Sequence, residues 1–258
     1  MTTTTIAVLG GKGGVGKTTV AVNLAVALAE RGYAVGLVDG DVGGPDAMRL
    51  LGLRRRTAAT SISLWEPKGR GPIAPIEQYR VQTVSPHLLV GEDQPLLLSG
   101  GFLRLLLGRL LAPAWSPAPD VVVVDASPGT GEVTQTILSL SQPDGALVVT
   151  TGGPLSALDN RKLVALLDQA DVPVWAVIDN LRSLECPHCG GEVALHGGAE
   201  WSPERRSGPP IGRVNVPFDL AARQAEDDGV PAYLVPGSSR FRPALDALAD
   251  HVVATIAR

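Results

Sequence analysis

The sequence predicts an α/β fold with a doubly wound, mostly parallel sheet, and three observations lead there. Short apolar runs alternate with helical patterns along the chain, the signature of strands joined by crossover helices. Three of those runs end on a polar residue, at Asp39, Asp125 and Asn180, as strands do when a ligand site lies at their carboxyl ends. A glycine-rich turn joins the first run to the first helical pattern. There are no repeats and no second apolar core, so residues 1–258 are expected to form one domain.

Taken in order, Ile6–Leu9 reads as a buried strand and Thr18–Arg31 as the helix after it, stopped by Gly32. Between them, Gly10-Gly11-Lys12-Gly13-Gly14-Val15-Gly16-Lys17-Thr18-Thr19 contains the G-x-x-x-x-G-K-[ST] phosphate loop, from Gly11 to Thr18. Glycines let backbone N–H groups turn toward one point, where they and the helix N-terminus hold an anion. Lys17 then reaches the β- and γ-phosphates, and the Thr18 hydroxyl is offered to Mg²⁺. The expected fold is therefore that of the P-loop nucleoside triphosphatases. Gly11, Lys12, Gly13, Gly14, Val15, Gly16, Lys17, Thr18 and Thr19 are the nucleotide-binding residues.

Lys12 is an addition that an ordinary phosphate loop does not need. It cannot easily bend back onto its own nucleotide, but it can reach one held by a facing copy and stabilise transition-state charge there, as an arginine finger does. The alternative is a solvated loop lysine.

Val35–Val38 is the second strand, closed by Asp39-Gly40-Asp41. Carboxylates this close do not form an acid/base pair across a substrate, but they suit a magnesium shell and the positioning of an attacking water. Asp41 is the water-orienting candidate, with Asp39 behind it at the metal; an Asx-turn is the plainer reading. Residues 66–85 mix Pro and Gly with short β-like pieces, Ile73–Ile76 and Tyr79–Val84, and read as an inserted hairpin. Val121–Val124 is the third strand of the pattern, and Asp125 at its tip has the Walker B arrangement, a carboxylate organising Mg²⁺ through water. The plainer role there is an N-cap carboxylate; Glu132–Leu140 reads as the helix that follows.

Ala146–Val149, helix Ser156–Ala170 and strand Val174–Ile178 continue the alternation. Asn180 follows, an amide suited to a purine edge, and Val214-Asn215-Val216-Pro217 can contact the base, with Pro217 as the candidate. Helices Asp219–Asp227 and Pro243–Ala257 close the chain. His87, His251 and the tryptophans carry no motif and read as packing or surface.

Cys186-Pro187-His188-Cys189 lies in a Gly- and Pro-rich stretch, residues 184–210, that reads as a projecting metal-binding loop. Two thiolates fill half of a four-thiolate shell. Three readings are open: a shell completed by a second copy of the chain around an iron–sulfur cluster or zinc, a single-chain zinc site completed by His188 or His196, and a redox dithiol. Gly190-Gly191 follows the motif, so no helix N-terminus lowers a thiol pKa there.

Composition narrows the function classes. Hydrophobic residues make up 45% of the 258 residues and the net charge is −4, which argues against a nucleic-acid partner; Arg54-Arg55-Arg56 reads as a solvated loop. The leucine-rich stretch Leu96–Leu111 is broken by Ser99, Gly100, Gly101, Arg104, Gly108 and Arg109, so no run approaches the ~20 apolar residues of a membrane span. The first apolar run is too short for a signal peptide. A cytoplasmic protein without a membrane partner is the expectation.

With these motifs assembled, the chain resembles the Mrp/ApbC iron–sulfur cluster carrier ATPases, in the deviant-Walker group with MinD, ParA and the nitrogenase iron protein. GKGGVGKTT, VDGDVGGPDAMRLLGL, DVVVVDASPGTGEVTQTI, TTGGPLSALDNRKL, CPHCGGEV and GRVNVPFDLAARQAEDDGVP carry the resemblance across nearly the whole chain. It implies a homodimer sandwiching two ATP molecules, with Lys12 crossing the interface. It also implies a [4Fe–4S] cluster bridged by Cys186 and Cys189 of both copies and passed to apo-proteins. By motif, Lys12, Lys17 and Asp41 are the catalytic residues, Thr18, Asp39, Asp41 and Asp125 the Mg²⁺ set, and Asn180 the adenine residue. Departures include Asp125-Ala126-Ser127-Pro128 where the family has D-x-P-P, and Leu98-Ser99-Gly100-Gly101 where it has a tryptophan–arginine–glycine–proline element. Any cluster-assembly adaptor is expected on a separate chain. A MinD/ParA-like positioning ATPase calls for a basic terminal helix or patch that the sequence does not offer. A small-molecule ligase or kinase with structural zinc is the remaining alternative.

Overall fold

Nine strands form one mixed sheet in a computed structural model that describes residues 2–53, 72–89, 98–186, 188–196, 201–203, 210–236 and 240–257. The strands are β1 (Thr4–Leu9), β2 (Val35–Gly40), β3 (Ile76–Gln78), β4 (Val81–Val84), β5 (Val121–Ala126), β6 (Gly145–Thr150), β7 (Val174–Glu185), β8 (Glu192–Ala194) and β9 (Gly212–Phe218). Their order is β3-β4-β2-β5-β1-β6-β7-β8, with β9 also pairing β7. All pairings are parallel except β3 with β4 and β7 with β8. Fully buried strands such as β5, Val-Val-Val-Val-Asp-Ala, are continuous apolar runs because helices cover a parallel sheet.

The helices are α1 (Lys17–Glu30), α2 (Ala47–Leu50), α3 (Gly100–Leu111), α4 (Glu132–Ser141), α5 (Pro154–Gln169), α6 (Leu220–Asp227) and α7 (Phe241–Ile256). α1 is buried almost all round, from Val20 through Ala29, which is why its sequence is apolar on every face rather than striped. It packs against β1, β2, β5 and α7, while α3 packs on α4 and β2. At its C-terminal end, Arg31 pairs with Asp246 at 2.9 Å and Asp250 at 2.8 Å, tying α1 to α7.

The parallel register explains the site. Val8 lies beside Asp125, and Asp125 lies beside Asp39, so the phosphate-loop strand and both acidic strand tips end at one edge. On the other side of β1, beyond β6, Asn180 of β7 lies beside Val216 of β9.

Four elements add to the sequence expectation. The expected hairpin is present as the antiparallel pair β3–β4 and belongs to the main sheet: β4 is fully buried and pairs in parallel with β2, making β3 and β4 one margin of it; residues 66–71 lie outside the described residues. The leucine-rich stretch forms α3, with Leu103, Leu106, Leu107 and Leu110 on its buried face, a spacing of three and four that its glycines mask. Gly212–Phe218 is a strand that the sequence pattern does not announce, and β7 runs on from Ile178 to Glu185. The Arg54–Arg56 cluster lies outside the described residues.

Candidate nucleotide site and cysteine hairpin

The phosphate loop follows β1 and opens α1, as its sequence requires. Gly14 and Gly16 take φ of 75° and 85°, backbone that side-chain-bearing residues rarely adopt. At Gly16 a Cβ would also lie 2.2 Å from the Asn180 Nδ2. That amide donates to the Val15 carbonyl at 2.8 Å, so Asn180 is fastened to the phosphate loop. At the other end, Gly11 N–H donates to Asn160 Oδ1 at 3.2 Å and Gly129 N–H to the Gly10 carbonyl at 2.9 Å. Lys12 is exposed.

Lys17 is buried, and burial holds its ammonium below the usual lysine range while Asp125 and Asp41 oppose that shift. Asp125 is fully buried. Burial pushes its carboxyl up to about 7, with Asp41 and Asp46 adding to the shift and Thr18 and Lys17 opposing it. Neither of its oxygens has a well-formed hydrogen bond among the described residues, although the Thr18 hydroxyl is close enough to favour the charged form. An orphaned buried carboxylate beside a phosphate-loop threonine fits a divalent cation, which would supply the missing charge. No three His, Cys, Asp or Glu side chains among the described residues converge into a direct shell, so the fit is to an ion held partly through water and phosphate.

The other acidic residues divide their roles. Asp39 is fully buried, and its Oδ1 accepts from the Asp41 N–H at 3.3 Å. Its Oδ2 accepts from the Ala47 N–H at 3.2 Å and the Ser85 hydroxyl at 3.0 Å. Both oxygens thus shape the loop that carries Asp41. Burial, with Asp125 beside it, pushes the Asp39 carboxyl well above the usual range. Asp41 is partly exposed, and its Oδ1 accepts from the Ser127 hydroxyl at 2.8 Å and the Gly43 N–H at 3.2 Å. That contact joins the second strand tip to the glycine-rich segment after Asp125. Ser127 stands at the position where the sequence departs from D-x-P-P.

Beside the loop, a cavity of about 270 Å³ is lined by Gly14, Gly16, Thr19, Asn180, Pro217 and Glu226, among others. Asn180 and Pro217, 37 positions apart in sequence, both line this cavity. Glu226 was not legible. It is buried on the same α6 face as Ala222 and accepts from the Thr19 hydroxyl at 3.3 Å and Asn23 Nδ2 at 3.1 Å. The available signal was a glutamate four residues after an apolar position on a short helix. Asn160, 1% exposed, was missed as well; its Nδ2 has no partner among the described residues.

The cysteines sit at the tip of the β7–β8 hairpin rather than in an irregular loop. Ser183, Leu184 and Glu185 pair antiparallel with Ala194, Val193 and Glu192. The turn is closed by Cys186 N–H to the Gly191 carbonyl at 2.8 Å and Gly190 N–H to the Cys186 carbonyl at 2.9 Å. Cys186 is half-buried and Cys189 exposed. Backbone N–H groups of His188 and Cys189, followed by the Cys189 thiol, hold the Cys186 thiol below its usual range, which favours the thiolate a metal needs. Neither His188 nor His196 joins the pair in a three-residue metal cluster among the described residues. A second cavity, about 380 Å³, opens beside Cys186 and is lined by Leu184, Glu185, Phe218, Leu220 and Arg240, among others.

No helix among the described residues is long and apolar enough to cross a membrane. Known proteins agree with the geometry. The ParA family model, described as "NUBPL iron-transfer P-loop NTPase", matches residues 1–253. An iron–sulfur cluster carrier protein of Pyrococcus abyssi is 34% identical over 95% of this chain and 85% of its own length. One of Methanocaldococcus jannaschii is 31% identical over 96% and 84%. Among solved structures, a nucleotide-binding protein from Archaeoglobus fulgidus in complex with ADP superposes with a TM-score of 0.73 at 26% identity, over 92% of this chain and 91% of that one. The septum site-determining protein MinD of Pyrococcus horikoshii, complexed with Mg-ADP, shares the fold at a TM-score of 0.64 and 21% identity, over 100% and 99%. The chain belongs to the iron–sulfur cluster carrier family of P-loop NTPases, within the ParA family model, and shares its fold with MinD.

Proposed function

We propose that this chain hydrolyses ATP and holds a [4Fe–4S] cluster between two copies of itself, to be handed to apo-proteins. The observation that carries this reading is the half-built thiolate site. Cys186 and Cys189 stand at the tip of an ordered hairpin, with backbone N–H groups supporting the Cys186 thiolate and no third protein ligand gathered among the described residues. A second hairpin brought up by two-fold symmetry supplies the missing pair and completes four-thiolate coordination. The cluster is cargo, and an exposed site at a hairpin tip suits release.

At the nucleotide, Gly11 to Thr19 wrap the phosphates, Lys17 neutralises them, and Asn180 with Pro217 borders the base. Thr18 and Asp125 are the residues that would hold Mg²⁺, which when bound would supply positive charge to the phosphates. Asp41 orients the attacking water, and Asp39 holds the Asp41 loop in shape. Lys12, exposed on the loop, reaches the nucleotide of the facing copy.

Anaerobic reconstitution with iron and sulfide tests this directly. The expected product is a brown dimer with about two irons and two sulfides per chain. Cys186→Ala should lose the cluster while retaining nucleotide binding. A full cluster on Cys186→Ala, or zinc alone on protein purified anaerobically, overturns the cargo assignment.

A further inference from the structure

The two cavities share a wall. Pro217, Phe218 and Asp219 line both the base pocket and the cavity beside Cys186. A second link runs through adjacent residues at the start of α7. Phe241 lines the base pocket, while Arg240 lines the cysteine cavity. The Arg240 guanidinium pairs with Glu185 at 3.2 Å and Glu192 at 3.0 Å. Glu185 ends β7 and Glu192 opens β8, so one side chain grips both strands of the hairpin immediately outside the C-x-x-C turn. A third link is β7 itself, which carries Asn180 at the base pocket and leads into Cys186.

We propose that Arg240 is a positioning residue that seats the cysteine hairpin against the nucleotide pocket, so that nucleotide occupancy and metal affinity at Cys186 and Cys189 are linked within one chain. This rests on the reading that the cysteine pair binds metal. A base entering the pocket packs against Pro217 and Phe241, and neither can shift without moving the residues that border the cysteine cavity. Arg240, Glu185 and Glu192 are all roughly half-exposed, where ion pairs add little to global stability. The pairing therefore matters for geometry. A guanidinium can hold two carboxylates in a fixed fork, which an ammonium cannot.

Linkage between two ligands is reciprocal: nucleotide must change metal affinity by the factor by which metal changes nucleotide affinity. Co²⁺ titrated anaerobically, read by its thiolate charge-transfer absorption, reports the cysteine site with and without saturating ADP or a non-hydrolysable ATP analogue. For the wild type a shift of about fivefold or more in Co²⁺ affinity is expected, with the same factor for nucleotide affinity when Co²⁺ is saturating. Arg240→Gln should bind both ligands while the factor falls toward one, and Arg240→Lys should keep part of it. Glu192→Ala removes one arm of the fork and should reduce the factor, which keeps the test open if Arg240→Gln does not fold. A wild-type protein that binds Co²⁺ through thiolates without regard to nucleotide, or an Arg240→Gln variant with the full factor, overturns the linkage but leaves the metal site standing. Absence of any thiolate–Co²⁺ absorption in the wild type overturns the metal reading instead.

Discussion

Asn180 Nδ2 donates to the Val15 carbonyl at 2.8 Å, directly over Gly16. The contact joins the middle of β7 to the phosphate loop and leaves no room for a side chain at Gly16. Asn180→Ala should weaken nucleotide binding by about 1–3 kcal/mol, the usual consequence of leaving a buried carbonyl unpaired. Asn180→Asp keeps the shape but faces an acceptor with an acceptor, and should be no better. Gly16→Ala combines positive-φ strain with the close contact. Its cost should be smaller in an Asn180→Ala background, because only the strain remains. Calorimetric titration of the four proteins with ATP checks this; strictly additive losses would show that the two residues do not interact.

Asp125 gives the site a pH dependence whose sign follows from its burial. Its carboxyl is pushed from 3.8 up to about 7, so between these values the folded chain holds a proton that the unfolded chain has released. Stability without nucleotide should therefore fall as pH rises from about 4 to about 7, by at most roughly 1.4 kcal/mol per pH unit from this group, and level off above. Asp39 is shifted in the same direction. Mg²⁺ needs the carboxylate, so Mg²⁺-dependent ATP binding should strengthen over the same interval and then plateau. Asp125→Asn should flatten both profiles. Denaturant titrations and Mg²⁺-dependent ATP binding across pH 5–8 measure them, and an unchanged slope in Asp125→Asn would assign the dependence elsewhere.

The nucleotide half of the molecule was legible because its chemistry is local. Gly11 to Thr19 lies in one stretch, and Asp39, Asp125 and Asn180 each end an apolar run that reads as a strand. Glu226, Asn160 and Arg240 were not legible, because each acts through a partner far away in sequence: Thr19 and Asn23, Gly11, and Glu185 with Glu192. β9 was missed because its Asn and Pro argue against a strand, whereas pairing with β7 overrides that preference. The glycines of α3 likewise hid a helix that its buried leucines stabilise.

Lys12 and Lys17 belong to one loop but face different ways, Lys12 exposed and Lys17 buried. Lys12→Ala should bind ATP almost normally and lose hydrolysis. Lys17→Ala should lose ATP affinity. If Lys12 acts on the facing nucleotide, mixing the two inactive variants should restore measurable turnover, since a mixed dimer keeps one intact nucleotide site with an intact lysine opposite. Steady-state phosphate release from mixtures at several ratios checks this. A flat line at background would place Lys12 at its own nucleotide.

Glu226 lines the cavity beside the phosphate loop, and its own carboxyl is raised by burial, against the hydrogen bonds from Asn23 and Thr19. Asn23 is held from the other side, because its Oδ1 accepts from the Tyr233 N–H at 2.7 Å. One buried polar chain therefore runs from the phosphate-loop helix to the segment preceding α7. Glu226→Gln keeps an acceptor for Asn23 and a partner for the Thr19 hydroxyl, so it should fold with nearly wild-type stability. Glu226→Ala strands both donors and leaves a void beside the phosphate loop, and should lose about 1–3 kcal/mol of stability together with some ATP affinity. Comparing unfolding midpoints with ATP affinities separates the two effects. If Glu226→Gln loses affinity at full stability, the carboxylate itself meets the nucleotide; if it retains affinity, Glu226 serves the pocket by holding Thr19 and Asn23 in place.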